Sequence, residues 1–199
     1  MKQKEDLRIT RTKKRIKDAL IQLLQEKSYE QITIQDIADK AMINRNTFYL
    51  HYLDKADLLE KISIACLDDL KACLNESRFK SEQFSPDDFL EIIEAVFQSI
   101  EQNLAVYQSF MGKCECPNFK TLLKTIISDH ISQGIQRKSK FKGKNLITLK
   151  IHTEYMTSGL VGVINLWLDK ENNISTPDVL DTLYQIYLKG NLELLKDYS

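Results

Sequence analysis

Residues 28–53 run Ser-Tyr-Glu-Gln-Ile-Thr-Ile-Gln-Asp-Ile-Ala-Asp-Lys-Ala-Met-Ile-Asn-Arg-Asn-Thr-Phe-Tyr-Leu-His-Tyr-Leu, and they decide the fold. Thr33 is placed to cap a short helix that turns Ile34, Ile37, Ala38 and Ala41 inward, with Asp36 in its first turn beside the positive helix end. Asn44 is placed to cap a second helix, whose Phe48 and Tyr52 stand four apart and so share one face. Two short helices joined by a corner of three or four residues have the dimensions of a DNA-binding helix-turn-helix.

Working outward, apolar spacing predicts longer helices on both sides. Ile9, Ile16, Leu20, Leu23 and Leu24 form one stripe in residues 6–27, and Leu58, Leu59, Ile62, Ala65 and Leu70 form another in 54–75. Phe89, Ile92, Ile93, Val96, Phe97 and Ile100 mark a third, and Leu122, Leu123, Ile126, Ile127 and Ile131 a fourth. Residues 145–170 and 177–196 are apolar over more than one face, which predicts burial on two sides, within the subunit and against a partner. All six glycines lie at or after Gly112, and the three prolines, Pro86, Pro117 and Pro177, each suit the first position of a helix. The expectation is an all-α chain of about nine helices. Residues 1–53 form the helix-turn-helix domain and 54–199 a larger helical regulatory and dimerisation domain.

Composition narrows the function. The 199 residues carry 28 basic and 28 acidic side chains, so the whole molecule is neutral. Residues 1–17 nonetheless hold eight basic side chains against Glu5 and Asp6, a net +6 that leaves −6 on the rest. A neutral protein with a basic front end can meet a polyanion through that end. The charged N-terminus predicts no secretory signal, and the longest apolar run, Gly159 to Ile164, falls far short of a membrane span. A cytoplasmic, reduced protein with no membrane partner is expected. No nucleophile elbow, phosphate-binding glycine loop or paired-carboxylate motif is present, so no enzymatic activity, metal or cofactor is expected.

The segments Ile32-Thr33-Ile34-Gln35-Asp36-Ile37-Ala38, Asn44-Arg45-Asn46-Thr47-Phe48-Tyr49-Leu50-His51-Tyr52 and Asp54-Lys55-Ala56-Asp57-Leu58-Leu59 together resemble the DNA-binding domain of the TetR/AcrR family of bacterial transcription regulators. The resemblance covers about residues 10–60, and residues 155–168 resemble the dimer-forming penultimate helix of one branch. It implies a homodimeric repressor acting on a palindromic operator in double-stranded DNA, released by a small-molecule effector or a protein co-regulator. A signal in the core would tilt helix 54–75 and shift the spacing of the two recognition helices. Met42 departs from the pattern, since the corner usually carries glycine there. If the position needs a positive φ, methionine costs stability.

The chemistry of the motif is consistent with that reading. With Phe48 and Tyr52 buried, Arg45, Asn46 and Tyr49 project from the other side. Arg45 suits guanine and Asn46 adenine, each good bidentate pair being worth about 1–3 kcal/mol of discrimination. The resemblance places phosphate contacts at Thr33, Asn44, Thr47, Tyr49, His51 and Lys55. Arg8 and Arg11, with Lys13 and Lys14, could add backbone contacts or follow the adjoining minor groove. Dimer contact is expected on the last two helices, where Ser158, Gly159 and Gly162 permit close approach and Val161, Ile164, Leu168, Leu180, Leu183, Tyr187 and Leu192 supply apolar area.

Other groups remain open between two readings. Phe89, Phe97, Tyr107, Phe110, Tyr155 and Trp167 are either plain core or the lining of a hydrophobic effector cavity. Cys114 and Cys116 are loop thiols or part of a metal or redox sensor, although a structural zinc site wants four ligands. Cys66 and Cys73 read as small core residues. Asp129-His130 and His152-x-Glu154 are core polar groups or a pocket cluster. The competing functional reading is a helical interaction or thiol-sensing protein without specific DNA recognition.

Overall fold

The computed structural model describes residues 2–76, 86–112, 116, 118–138 and 146–190. Among them are nine α-helices, two 3-10 turns and no strand: α1 Lys2–Glu26, α2 Ile34–Lys40, α3 Arg45–Tyr49, α4 Lys55–Glu76, α5 Pro86–Gln102, α6 Leu104–Met111, α7 Phe119–Lys138, α8 Leu146–Leu168 and α9 Thr176–Gly190. The chain divides into two compact units, Met1–Cys66 with Ala105–Pro117, and Leu67–Leu104 with Asn118–Ser199. The first unit thus extends past residue 53. Ser63 and Cys116 join its two segments, with Oγ and Sγ 3.4 Å apart.

In the first unit α1 buries Ile16, Leu20, Leu23 and Leu24 together with Ile37 and Ala38 of α2 and Phe48 of α3. Ile9 does not join this stripe. It is 40% exposed, because α1 runs on beyond the core as a basic helix. α2 starts with a capping box: Thr33 Oγ1 accepts from the Asp36 N–H at 3.1 Å, and Asp36 Oδ2 accepts from the Thr33 N–H at 2.8 Å. Lys27 Nζ closes on the same carboxylate at 2.7 Å. The box satisfies two backbone donors that a helix start otherwise leaves open, worth about 1 kcal/mol. Met42 turns the corner with φ 51°. The other described non-glycine residues with positive φ, Asn118 and Asn173, are of a type that tolerates the left-handed region; methionine bears its full steric cost.

In the second unit α5 buries Phe89, Ile92, Ile93, Val96, Phe97 and Ile100, and α7 buries Leu123, Ile127 and Ile131, on the expected spacing. Leu122 is 47% exposed, so the α7 stripe is narrower than its apolar content. α9 begins one residue before Pro177, with Ser175 as its cap: Asp178 N–H donates to Ser175 Oγ at 3.3 Å. A proline at the second helical position is tolerated for the same reason as at the first, since neither N–H has a helical partner. Ser85, Pro117 and residues 191–196 lie outside the described residues. α6 is an addition to the helices predicted from spacing. It is only eight residues long, and Asn103 alone separates it from α5. No described helix is long and apolar enough to cross a membrane.

Candidate nucleic-acid interface

α3 is five residues long and stands because both its ends are held. Asn44 Oδ1 accepts from the Asn46 N–H at 2.8 Å, and Tyr52 N–H donates to Phe48 O at 3.0 Å, so the chain keeps helical register through residue 52. Phe48 and Tyr52 are buried with ring centroids 5.6 Å apart. That pins one side of the helix and leaves Asn44, Arg45, Asn46 and Tyr49 exposed on the rest, with Thr47 half-buried. Arg45 Nη2 donates to Tyr49 Oη at 3.2 Å, and its guanidinium carbon stands 5.8 Å from the Tyr49 ring centroid. The two side chains hold each other erect, so a partner meets a preorganised pair rather than two loose rotamers.

Around α3 lie the other residues singled out from the sequence. Thr33 is exposed at the start of α2. His51 is half-buried, and burial, then the nearby charge of Lys13, push its imidazole below the ordinary value, which keeps it neutral near pH 7. Arg8 and Arg11 are exposed on α1. Arg15 continues their face at i, i+3 and i+7 and donates from Nη2 to the Met42 carbonyl at 3.2 Å. Its role is legible only from that helical spacing, and it extends the basic ridge to the corner of the motif.

Lys55 is engaged within the chain. Its Nζ donates to the carbonyl oxygens of Tyr29 at 2.6 Å and Ile32 at 2.8 Å and stands 4.2 Å from the Tyr29 ring centroid. The ammonium ties the start of α4 to the chain leading into α2.

The outer helices of the second unit also depart from expectation. Ile164, Leu168, Leu183 and Tyr187 are buried within the chain and offer no surface to a partner. Tyr187 Oη donates to the Met156 carbonyl at 3.3 Å, binding α9 to α8. The exposed apolar face of α8 consists instead of Ile147, Ile151, Tyr155 and Leu166, interleaved with Ser158, Gly159 and Gly162. At 100° per residue these seven lie on one side of the helix, opposite Leu149, Met156, Leu160 and Ile164. A Cβ at Gly162 meets nothing within 4 Å, and one at Gly159 meets only Tyr187 Oη at 3.9 Å. Close packing within the chain therefore does not explain either glycine. Val161 and Leu180 are half-buried, and Leu192 lies outside the described residues.

The aromatic set is divided between the two units. Tyr107 and Phe110 are buried in the first unit, whereas Phe89, Phe97 and Trp167 belong to the second, and Tyr155 is 69% exposed. In the second unit Phe97 packs on Trp167 at 4.9 Å and Phe89 on Tyr187 at 4.4 Å. Glu154 Oε1 accepts from Lys124 Nζ and from Ser158 Oγ. His152 Nε2, Thr153 Oγ1 and Thr157 Oγ1 are buried without hydrogen-bond partners among the described residues. Cys66 is buried and Cys73 half-buried. Cys114 lies outside the described residues, and burial pushes the Cys116 thiol up, away from the reactive thiolate.

A helix fixed on its apolar side, carrying amide, guanidinium and phenol groups outward beside a basic helix, defines a helix-turn-helix nucleic-acid-binding protein. Comparisons with known proteins agree. Residues 16–62 match the family model described as bacterial regulatory proteins, tetR family, and residues 87–189 match that of a TetR-type transcriptional regulator C-terminal region. The chain belongs to the TetR family and is a transcriptional regulator. It is 34% identical over 77 residues to the HTH-type transcriptional regulator YxbF of Bacillus subtilis (strain 168), a match spanning 39% of this chain and only 19% of that protein. Two solved structures share the fold. The TetR family regulator PfmR from Thermus thermophilus has TM-score 0.66 and 17% identity over 88% of this chain and 97% of its own. The dihydroxyacetone kinase operon activator DhaS has TM-score 0.59 and 20% identity over 94% and 98%.

Proposed function

We propose that the protein is a homodimeric repressor that reads a palindromic operator with α3 of each protomer and is released by an effector held in its second unit. The observation that carries the reading is α3 itself, a capped helix whose buried Phe48 and Tyr52 leave Arg45, Asn46 and Tyr49 facing out. Arg45 and Asn46 are assigned to base edges. Thr33, Asn44, Thr47, Tyr49 and His51 are assigned to phosphates, with Arg8, Arg11 and Arg15 extending the backbone track along α1. One such helix reads only a few base pairs, so useful affinity requires two, about 34 Å apart across a two-fold site.

The exposed stripe of α8 supports self-association, because its glycines have no intrachain packing partner close by. For the effector, aromatic core around Phe97 and Trp167 and unpartnered polar atoms on His152, Thr153 and Thr157 support a small molecule that is largely apolar but accepts hydrogen bonds. Selection of bound duplexes from a random pool tests the whole assignment. The expected product is a palindrome, and Arg45→Ala or Asn46→Ala should each lower affinity for it by about 5–150-fold per half-site with little effect on non-specific binding. Binding that is unchanged in both variants removes the base-reading role.

A further inference from the structure

We propose that Leu50 is a specificity-determining residue that reads the C5-methyl group of thymine at the centre of each operator half-site. This rests on the DNA-reading role of α3 proposed above. Leu50 is 79% exposed, whereas Phe48 and Tyr52 on either side of it are buried. It keeps helical backbone angles, φ −70° and ψ −17°, and the hydrogen bond from Tyr52 N–H to Phe48 O carries the α-turn past it. With 100° per residue, the buried pair points one way and Leu50 points directly opposite, with Asn46 about 40° to one side. Tyr49 and Arg45, bonded to each other, stand further round toward the buried side. The middle of the outward ridge is therefore an amide followed one turn later by an isobutyl group.

An exposed leucine at that place costs solubility and leaves Asn46, Tyr49 and Arg45 to do all polar reading. Inside a major groove it has one complementary feature. Base edges there present hydrogen-bond donors and acceptors, and thymine alone adds an apolar methyl. Leu53, 81% exposed, is no rival: its N–H is tied to Asp57 Oδ2 at 2.9 Å in the link to α4, off the helix. Asn46 and Leu50 one turn apart would read an adenine and a neighbouring thymine as a composite step.

The test uses the full-length protein and its selected operator, with each thymine of the half-site replaced in turn by deoxyuridine, symmetrically in both halves. Deoxyuridine keeps every hydrogen-bonding group and removes only the methyl. Wild-type protein should lose about 15-fold in affinity at one thymine position, from about four-fold per methyl in each half-site. Leu50→Ala should bind the thymine operator about ten-fold more weakly and lose the distinction between thymine and deoxyuridine at that position. Its melting temperature should match the wild type, since the side chain is outside the core. Wild-type affinity that is indifferent to every methyl, or a Leu50→Ala variant as sensitive as wild type, overturns the role of Leu50 alone. Failure to bind any duplex at low salt overturns the DNA-reading assignment, and the role of Leu50 with it.

Discussion

The guanidinium of Arg15 donates to the main-chain carbonyl of Met42, 27 residues further along the chain, at 3.2 Å. The helix that carries the basic ridge is thereby fastened to the corner between α2 and α3, at the one residue there forced into a left-handed conformation. Met42 is 80% exposed, so its side chain returns almost nothing for that conformation. Met42→Gly should stabilise the protein by about 1 kcal/mol, the ordinary cost of a side chain in the left-handed region. For a chain of this size that raises the melting temperature by roughly 2–4 °C. An unchanged or lower melting temperature would mean that the strain is absent or relieved elsewhere.

The carboxyl of Asp36 is drawn down from 3.8 to about 2, first by Lys27 and then by its bonds with Thr33. Its folded value is depressed, so the unfolded chain binds more protons between those two values. The stabilisation is present above pH 3.8 and disappears as pH falls toward 2. Asp36→Asn should therefore melt below wild type at about pH 5, with the gap closing as the pH is lowered. Thermal melts across that range measure it, and a constant gap would show that the ionised carboxylate is not what holds the box.

Lys55 and Arg11 are both basic residues near α3, but Lys55 is committed to two carbonyls while Arg11 is exposed. Lys55→Met should destabilise the fold by about 1.5–3 kcal/mol, the range for hydrogen bonds to a charged donor, without altering the salt dependence of operator binding. Arg11→Gln should do the opposite. The slope of log affinity against log salt should shrink by about 0.9 per protomer while stability stays within about 0.5 kcal/mol. A salt slope altered by Lys55→Met at preserved fold returns that residue to the phosphate contacts.

The outer face of α8 yields a prediction about association. Ile151 is 66% exposed, so Ile151→Glu should fold normally yet shift the protein to monomer in sedimentation. Gly162→Ala should strengthen the isolated helix by about 1 kcal/mol while weakening the dimer, because the new methyl fills space that a second helix needs. Two variants that remain dimeric would move the interface off this face.

Much of the first unit is legible in the sequence because its signals are local. The Thr33 and Asn44 caps and the Phe48–Tyr52 spacing each lie within about one helical turn, whereas the positive φ at residue 42 is legible only through the family pattern, which carries glycine there. Lys55 escapes that logic because its partners, the carbonyls of Tyr29 and Ile32, are 26 and 23 residues away and leave no mark in local spacing. Leu50 can be found by projecting Phe48 and Tyr52 onto a helix and asking which residue lies opposite.

By itself, then, the sequence determined every helix but the short α6, the motif and the identity of its outward polar groups, since caps and periodicity are written within one or two turns. Tertiary structure alone decided which side of α8 faces in. That helix is apolar nearly all round, so periodicity gives it no phase, and only packing against α7 and α9 fixes it, while the amphipathic α9 docks its apolar side on α5. That packing drew Ile164, Leu168, Leu183 and Tyr187 into the core and left Ile147, Ile151 and Tyr155 outside. It is burial of one face, not the presence of apolar residues, that selects the surface left for a partner.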